Sequence, residues 1–282
     1  MRRASLILTI GPGQVHGLWE GASWSGGVRQ EAGADFAAGD TPALSDALGS
    51  VLAAILPARR LTSPFVRITL DGPLIMAAIL PFSKLPKSQA DRRLVVSQRF
   101  CREHRLEPGK VEVIGSPLSA AKAANGRILC LAVEQDVLRH INGALSARGL
   151  YADVIVPGFL FKFEQADCGA LEKPGIALFG ANGFNTILVW DGDGSLIHIM
   201  TIPQPRDAGA RERMAGRLWR YAQIVASANA PVALYLDRSP AQDLSQDLRG
   251  LRGLKLMAWP AERQDPGRAG LKSSDARREP AL

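Results

Sequence analysis

Two short stretches decide how this chain folds: Leu8-Thr9-Ile10-Gly11-Pro12-Gly13-Gln14 near the start and Leu178-Phe179-Gly180-Ala181-Asn182-Gly183 past the middle. Each ends an apolar strand in a glycine-bearing turn and leads into a second apolar strand, Val15 to Glu20 in one case and Thr186 to Trp190 in the other. Glycine supplies the positive φ that tight turns demand. The same small device used twice in one chain points to an internal repeat of topology.

Working outward, Ala4 to Ile10, Val15 to Glu20 and roughly Ser25 to Gln30 read as three short strands. Thr41 is placed to cap a helix from Pro42 that buries Leu44, Leu48, Val51, Leu52 and Ile55 on one face and stops at Pro57. Phe65 to Leu70 and Leu74 to Leu80 are apolar runs split by Asp71-Gly72-Pro73, whose Asp-Gly pair signals a hairpin. A charged amphipathic helix is expected over Ser88 to His104. Strands follow at Val111 to Gly115 and Ile128 to Val133, then a helix from Gln135 to Arg148 that Gly149 stops.

After a strand at Ala152 to Val156 and a short apolar helix, the strand order begins again. Gly175 to Phe179, Asn185 to Trp190 and Leu196 to Thr201 form a second meander. It is followed by a helix over Ala208 to Ala228, a strand at Pro231 to Leu236, a helix over Ala241 to Arg249 and a strand at Leu254 to Trp259. The reading is an α/β chain of two lobes around a cleft. The first lobe spans residues 1–168 and the second 169–260. The proline- and charge-rich residues 261–282 read as a disordered tail.

Composition narrows the function. No window approaches 18 apolar residues, so no membrane-spanning helix is expected. Cys101, Cys130 and Cys168 are odd in number and lack C-x-x-C spacing, which reads as reduced thiols of a cytosolic protein. The net charge of +7 is concentrated: residues 84 to 127 hold ten basic residues against four acids. Lys84, Lys87, Arg92, Arg93 and Arg99 could face an acidic partner or anionic headgroups, and a solvated helix face explains them equally. Only Phe100 is aromatic among these charges, so no base-stacking platform is visible and nucleic acid is not the expected partner.

Other motifs fall away. Asp191-Gly192-Asp193-Gly194-Ser195 opens like a calcium loop, but the sixth and twelfth positions, which need glycine and glutamate, are Leu196 and Ile202. His16, His104, His140 and His198 share no metal-ligand spacing. Gly115-Ser116-Pro117 is no nucleophile elbow. Trp190, Ile197, Ile199, Leu218, Trp219 and Tyr221 read as core of the second lobe.

The residues carry a resemblance. A strand, glycine turn, strand unit used twice is similar to the ground plan of the actin, hexokinase and sugar-kinase class. Ile79-Leu80-Pro81-Phe82-Ser83-Lys84-Leu85-Pro86-Lys87, followed by a helix with Arg92-Arg93-Leu94-Val95 and Gln98-Arg99, resembles PilM-like proteins of type IV pilus assembly. It is equally similar to the cytoplasmic domain of the secretion protein GspL and to MshI. Ile128 to Val133 with Gly149-Leu150, and Ile176 to Asn185 with the Trp190-Asp191-Gly192 exit, resemble two further segments of that group in the right order.

The resemblance implies an actin-like (ribonuclease H-like) fold of two βββαβα-type subdomains. It also implies that Gly11, Gly13 and Gln14, with Gly180, Asn182 and Gly183, are the residues that would face nucleotide phosphates. Plain hairpin turns explain the same residues. Active members place an aspartate in each turn to manage the metal. Here Thr9 stands at the first position and Leu178, within one residue of alignment slack, at the second. A family member with these replacements is expected to be a scaffold without catalysis and without a required cofactor, ATP being the nucleotide its turns would hold. It would be cytoplasmic and peripheral at the inner membrane. Its expected partner is the tail of a PilN-like single-pass protein, coupled to an assembly ATPase. Two rivals remain: an active ATPase or sugar kinase drawing its carboxylate from Glu20, Asp71 or Asp191, and a basic nucleic-acid-binding module suggested by the pI near 9.7.

Overall fold

A computed structural model of the chain describes residues 3–21, 28–57, 63–82, 85–117, 126–165, 173–181, 183–192, 195–226, 232–236 and 254–258. The expected lobe boundary at residues 168/169, Cys168, the helix expected at Ala241 to Arg249 and the tail 261–282 lie outside them, as do Lys84 and Asn182.

The first sheet is assembled from β1 (Ser5–Gly11), β2 (Gln14–Glu20), β3 (Arg29–Asp35), β4 (Phe65–Leu70) and β8 (Val154–Pro157), in the order β3-β2-β1-β4-β8. Helix α1 (Thr41–Ile55) separates β3 from β4. A three-stranded antiparallel sheet of β5 (Ile75–Pro81), β6 (Val111–Pro117) and β7 (Arg127–Glu134), carrying α2 (Gln89–His104), is inserted after β4. Helix α3 (Gln135–Ser146) leads to β8, and α4 (Gly158–Gln165) leaves the lobe.

The second five-stranded sheet comprises β9 (Gly175–Ala181), β10 (Phe184–Trp190), β11 (Leu196–Pro203), β12 (Val232–Leu236) and β13 (Leu254–Ala258), ordered β11-β10-β9-β12-β13, with α5 (Ala208–Val225) between β11 and β12. Order and direction match the first sheet strand for strand. In each, the first three strands are antiparallel neighbours and the first pairs in parallel with the fourth. The repeat read from the two glycine turns is therefore a repeat of topology.

Alternation of side chains along the strands builds the cores. Leu6, Leu8 and Ile10 of β1 bury against Leu48, Leu52 and Ile55 of α1 and Ile141 of α3. In the second lobe, Ile176 and Leu178 of β9 and Ile187 and Val189 of β10 bury against Met214, Leu218 and Ala222 of α5. The opposite face of that sheet joins Phe159 of α4 and Leu129 of β7 in a further apolar cluster around Trp190, so the two lobes are packed to each other.

Four expectations are corrected. The third strand is Arg29–Asp35 instead of Ser25 to Gln30, because the Glu20↔Arg29 pairing sets its register. Its Gly, Ala and acidic residues have low strand propensity and give no apolar signal. Asp71-Gly72 closes no hairpin: both edges of β4 are taken by β1 and β8, and β5 pairs with β7 in another sheet. Asp40, not Thr41, caps α1, its carboxylate accepting from the Ala43 amide at 3.0 Å. Trp219 is 41% exposed, because the helical period carries it off the face that Leu218 and Ala222 bury. No helix of the described residues is long and apolar enough to cross a membrane.

Candidate functional site

The two glycine turns are equivalent in detail. Gly11 pairs with Gln14 across Pro12-Gly13, and Ala181 pairs with Phe184 across residues 182–183. Gly13 and Gly183 both hold positive φ, +91° and +79°, as a two-residue turn of this kind requires. Counting back from each turn, Thr9 is equivalent to Phe179. Leu178, the residue expected to stand in for the second aspartate, has the wrong parity. It faces α5 and is 2% exposed. The alignment slack resolves onto Phe179.

Packed side chains fill this position. The Thr9 hydroxyl lies 3.0 Å from that of Thr69 on β4, which donates to it. Phe179 is 3% exposed and packs in the cluster of Phe159, Leu188 and Trp190, with the Lys162 ammonium 6.0 Å from its ring centroid. Beside it a cavity of about 10 Å³ is walled by Phe159, Phe179, Phe184 and Gly180. That is room for roughly one water molecule, not for a phosphate.

The turns also meet through a third residue. Gly72, at φ +62°, follows β4, and a Cβ built on it would lie 3.2 Å from Pro12 Cδ and 3.3 Å from Phe184 Cδ2. Pro12 of the first lobe and Phe184 of the second therefore close on the same backbone atom.

Of the three substitute carboxylates, topology removes two. Glu20 pairs with Ser5 at the far end of the first hairpin, and Asp191 lies beyond the Gly175–Trp190 end of the second. Each is roughly 20 Å of strand from its turn. Asp191 is held in its own turn, accepting from the Ser195 amide at 3.0 Å. Asp71 does reach the cleft. Its amide donates to the Ile10 carbonyl at 2.8 Å, and its carboxylate abuts Gly158 at the N-terminus of α4, where the helix dipole favours negative charge. Among the described residues no group of three or more His, Cys, Asp or Glu could hold a metal ion.

A larger space opens on the other side of the turns. A groove of about 740 Å³ has apolar walls from Phe36, Leu44, Leu74, Val137 and Phe184, with Pro12 and Gly183 of the two turns at its rim. Asp40, Glu134 and Arg206 give it polar points. Its size is that of an ordinary ligand pocket. Sequence reading missed this groove because its wall comes from six separated segments, of which only the two glycine turns carry a motif.

The sequence-derived site residues divide accordingly. Gly11 ends β1, Gly13 forms the turn and Gln14 opens β2 at the surface. Gly180 lines the small cavity, and Gly183 lines the groove while its carbonyl accepts from the Gln204 amide at 2.8 Å.

No protein-family model matches the sequence, and no curated protein matches it. Solved structures do. A chain of the PilM–PilN type IV pilus biogenesis complex superimposes with a TM-score of 0.61 at 13% identity, over 90% of this chain and 88% of that one. A Bacteroides thetaiotaomicron protein with an actin-like ATPase fold and unknown function gives 0.57 at 12% identity, over 90% and 91%. The cytoplasmic domain of EpsL, an inner membrane component of the type II secretion system of Vibrio cholerae, gives 0.47 at 13% identity, over 92% and 90%. The first two show that the chain has the two-lobed actin-like fold. The likeness read from the sequence is met at that level.

Proposed function

We propose that this protein is a non-catalytic actin-like scaffold of a type IV pilus assembly or type II secretion platform, whose groove takes the cytoplasmic tail of a single-pass membrane partner. One contrast carries the reading: Phe179 fills the second turn's position and Thr9, bonded to Thr69, the first, while a groove of about 740 Å³ stands open beside them. A chain of a pilus complex with PilN shares the fold, which supports a partner of that kind. On this reading Gly11, Gly13, Gln14, Gly180 and Gly183 form turns and groove wall and hold no nucleotide. The protein would sit in the cytoplasm against the inner membrane, tethered by its partner.

The groove suits a short apolar segment carrying a charge for Arg206 or for the Asp40 and Glu134 carboxylates. The test is calorimetric titration with the N-terminal tail peptide of a single-span protein encoded beside this one. Ala38 lines the groove with Leu74, and micromolar binding that Leu74→Glu and Ala38→Arg abolish supports the proposal. Binding indifferent to both substitutions contradicts it.

A further inference from the structure

We propose that the outer face of α5 docks the second lobe on an anionic lipid surface. Met214, Ala215, Leu218 and Ala222 bury one side of this helix. At 3.6 residues per turn, Arg213, Arg217, Arg220 and Ile224 fall within an arc of roughly 60° on the other side, spread along about 16 Å of axis. All four are exposed, Ile224 at 68%. None of the three guanidinium groups has an ion pair with a described residue. Among the described residues, the one side-chain hydrogen bond of Arg217 is to Met200 Sδ at 3.7 Å, a weak acceptor. The helix's lone acid, Glu212, lies on the other flank.

Helix α2 carries as many arginines, four, but two of them are committed. Arg92 donates to the carbonyls of Pro86 and Lys87 at 3.0 Å each, and Arg99 bridges Glu103 while stacking over Phe82 at 4.8 Å. Arg93 and Arg102 remain exposed on α2 but fall on opposite sides of it, whereas α5 gathers three arginines on one arc. An anionic bilayer fits them better than an acidic protein, because an exposed isoleucine lies inside the cationic arc. That mixture matches a headgroup layer over hydrocarbon, and guanidinium forks suit phosphodiester oxygens. Three such cations near an anionic leaflet strengthen binding on the order of a hundredfold.

The test is co-sedimentation of the full chain, without any partner, with phosphatidylcholine vesicles and with vesicles containing phosphatidylglycerol. Failure here leaves the groove untouched. The wild type should pellet with the anionic vesicles only. The triple variant Arg213→Gln, Arg217→Gln, Arg220→Gln should lose about a hundredfold in affinity, and Ile224→Ser several-fold, with unfolding temperatures unchanged. A control removing equal charge elsewhere, Arg93→Gln, Arg102→Gln, Arg127→Gln, should lose no more than a few-fold. Equal loss in both triple variants, an indifferent Ile224→Ser, or retention on polyglutamate without vesicle binding would each overturn the proposal. The last outcome assigns the face to an acidic protein.

Discussion

Thr9 and Phe179 occupy one position in two hairpins that repeat each other: each lies three residues before the first residue of a two-residue turn, on the sheet face opposite the one that packs on α1 or α5. One is a hydroxyl paired with Thr69, the other a ring buried among Phe159, Leu188 and Trp190. Neither supplies a carboxylate for a metal, and on the scaffold reading Asp71 does not stand in for one. The purified chain should therefore show no magnesium-dependent ATP turnover above background. Phe179→Ala should cost about 3–5 kcal/mol in urea unfolding, the range for a buried ring removed from a packed cluster. A near-neutral Phe179→Ala would mean the ring is not what closes the cleft.

Gly72 couples the two turns. Its positive φ alone charges any replacement about 1–2 kcal/mol, and a methyl group would press on Pro12 and Phe184 together. Gly72→Ala is expected to lower stability by about 1–3 kcal/mol, a fall of several degrees in unfolding temperature. Unchanged stability would show that the lobes do not meet there.

His198 on β11 accepts from or donates to the Tyr221 hydroxyl of α5 at 2.8 Å, and burial lowers its pKa from 6.5. Because the folded state disfavours the imidazolium, the histidine's contribution to stability is complete above 6.5 and is lost as the pH falls through the lower folded value. The urea midpoint of the wild type should thus decline on acidification more than that of His198→Gln. Parallel profiles for the two proteins would refute the assignment.

Cys101 and Cys130 are buried thiols, and burial raises the Cys130 pKa to about 12. In a Cys168→Ala background neither should react with a thiol reagent at about pH 8 until the protein unfolds, when both should. Rapid stoichiometric labelling of the native chain would contradict the packing around β7.

The fold was largely legible because it is written in strands, turns and their repetition, all local features. Glycine turns and the 3.6-residue stripe of α1 are each set within a few residues, though the cap of α1 fell one residue from its expected place. Long-range pairing was the part that escaped. Asp71-Gly72 reads as a hairpin locally and becomes a crossover only because β1 and β8 occupy both edges of β4. Leu178 and Phe179 are adjacent, and only the pairing of Ala181 with Phe184 decides which of them faces the cleft. Trp219 sits one residue from the buried Leu218, which a composition-based reading cannot separate from exposure. The groove has no sequence signature at all, since the tertiary fold alone joins Phe36, Leu74, Val137 and Phe184.

Titration of the tail peptide into wild type, Leu74→Glu and Phe179→Ala decides between a scaffold and a nucleotide-driven machine. A scaffold with a filled cleft should bind the peptide at micromolar concentration as wild type, not at all as Leu74→Glu, and still as Phe179→Ala wherever that variant remains folded. Competition of the peptide by ATP with magnesium, or binding that survives Leu74→Glu, would put the ligand in the cleft and contradict the scaffold role.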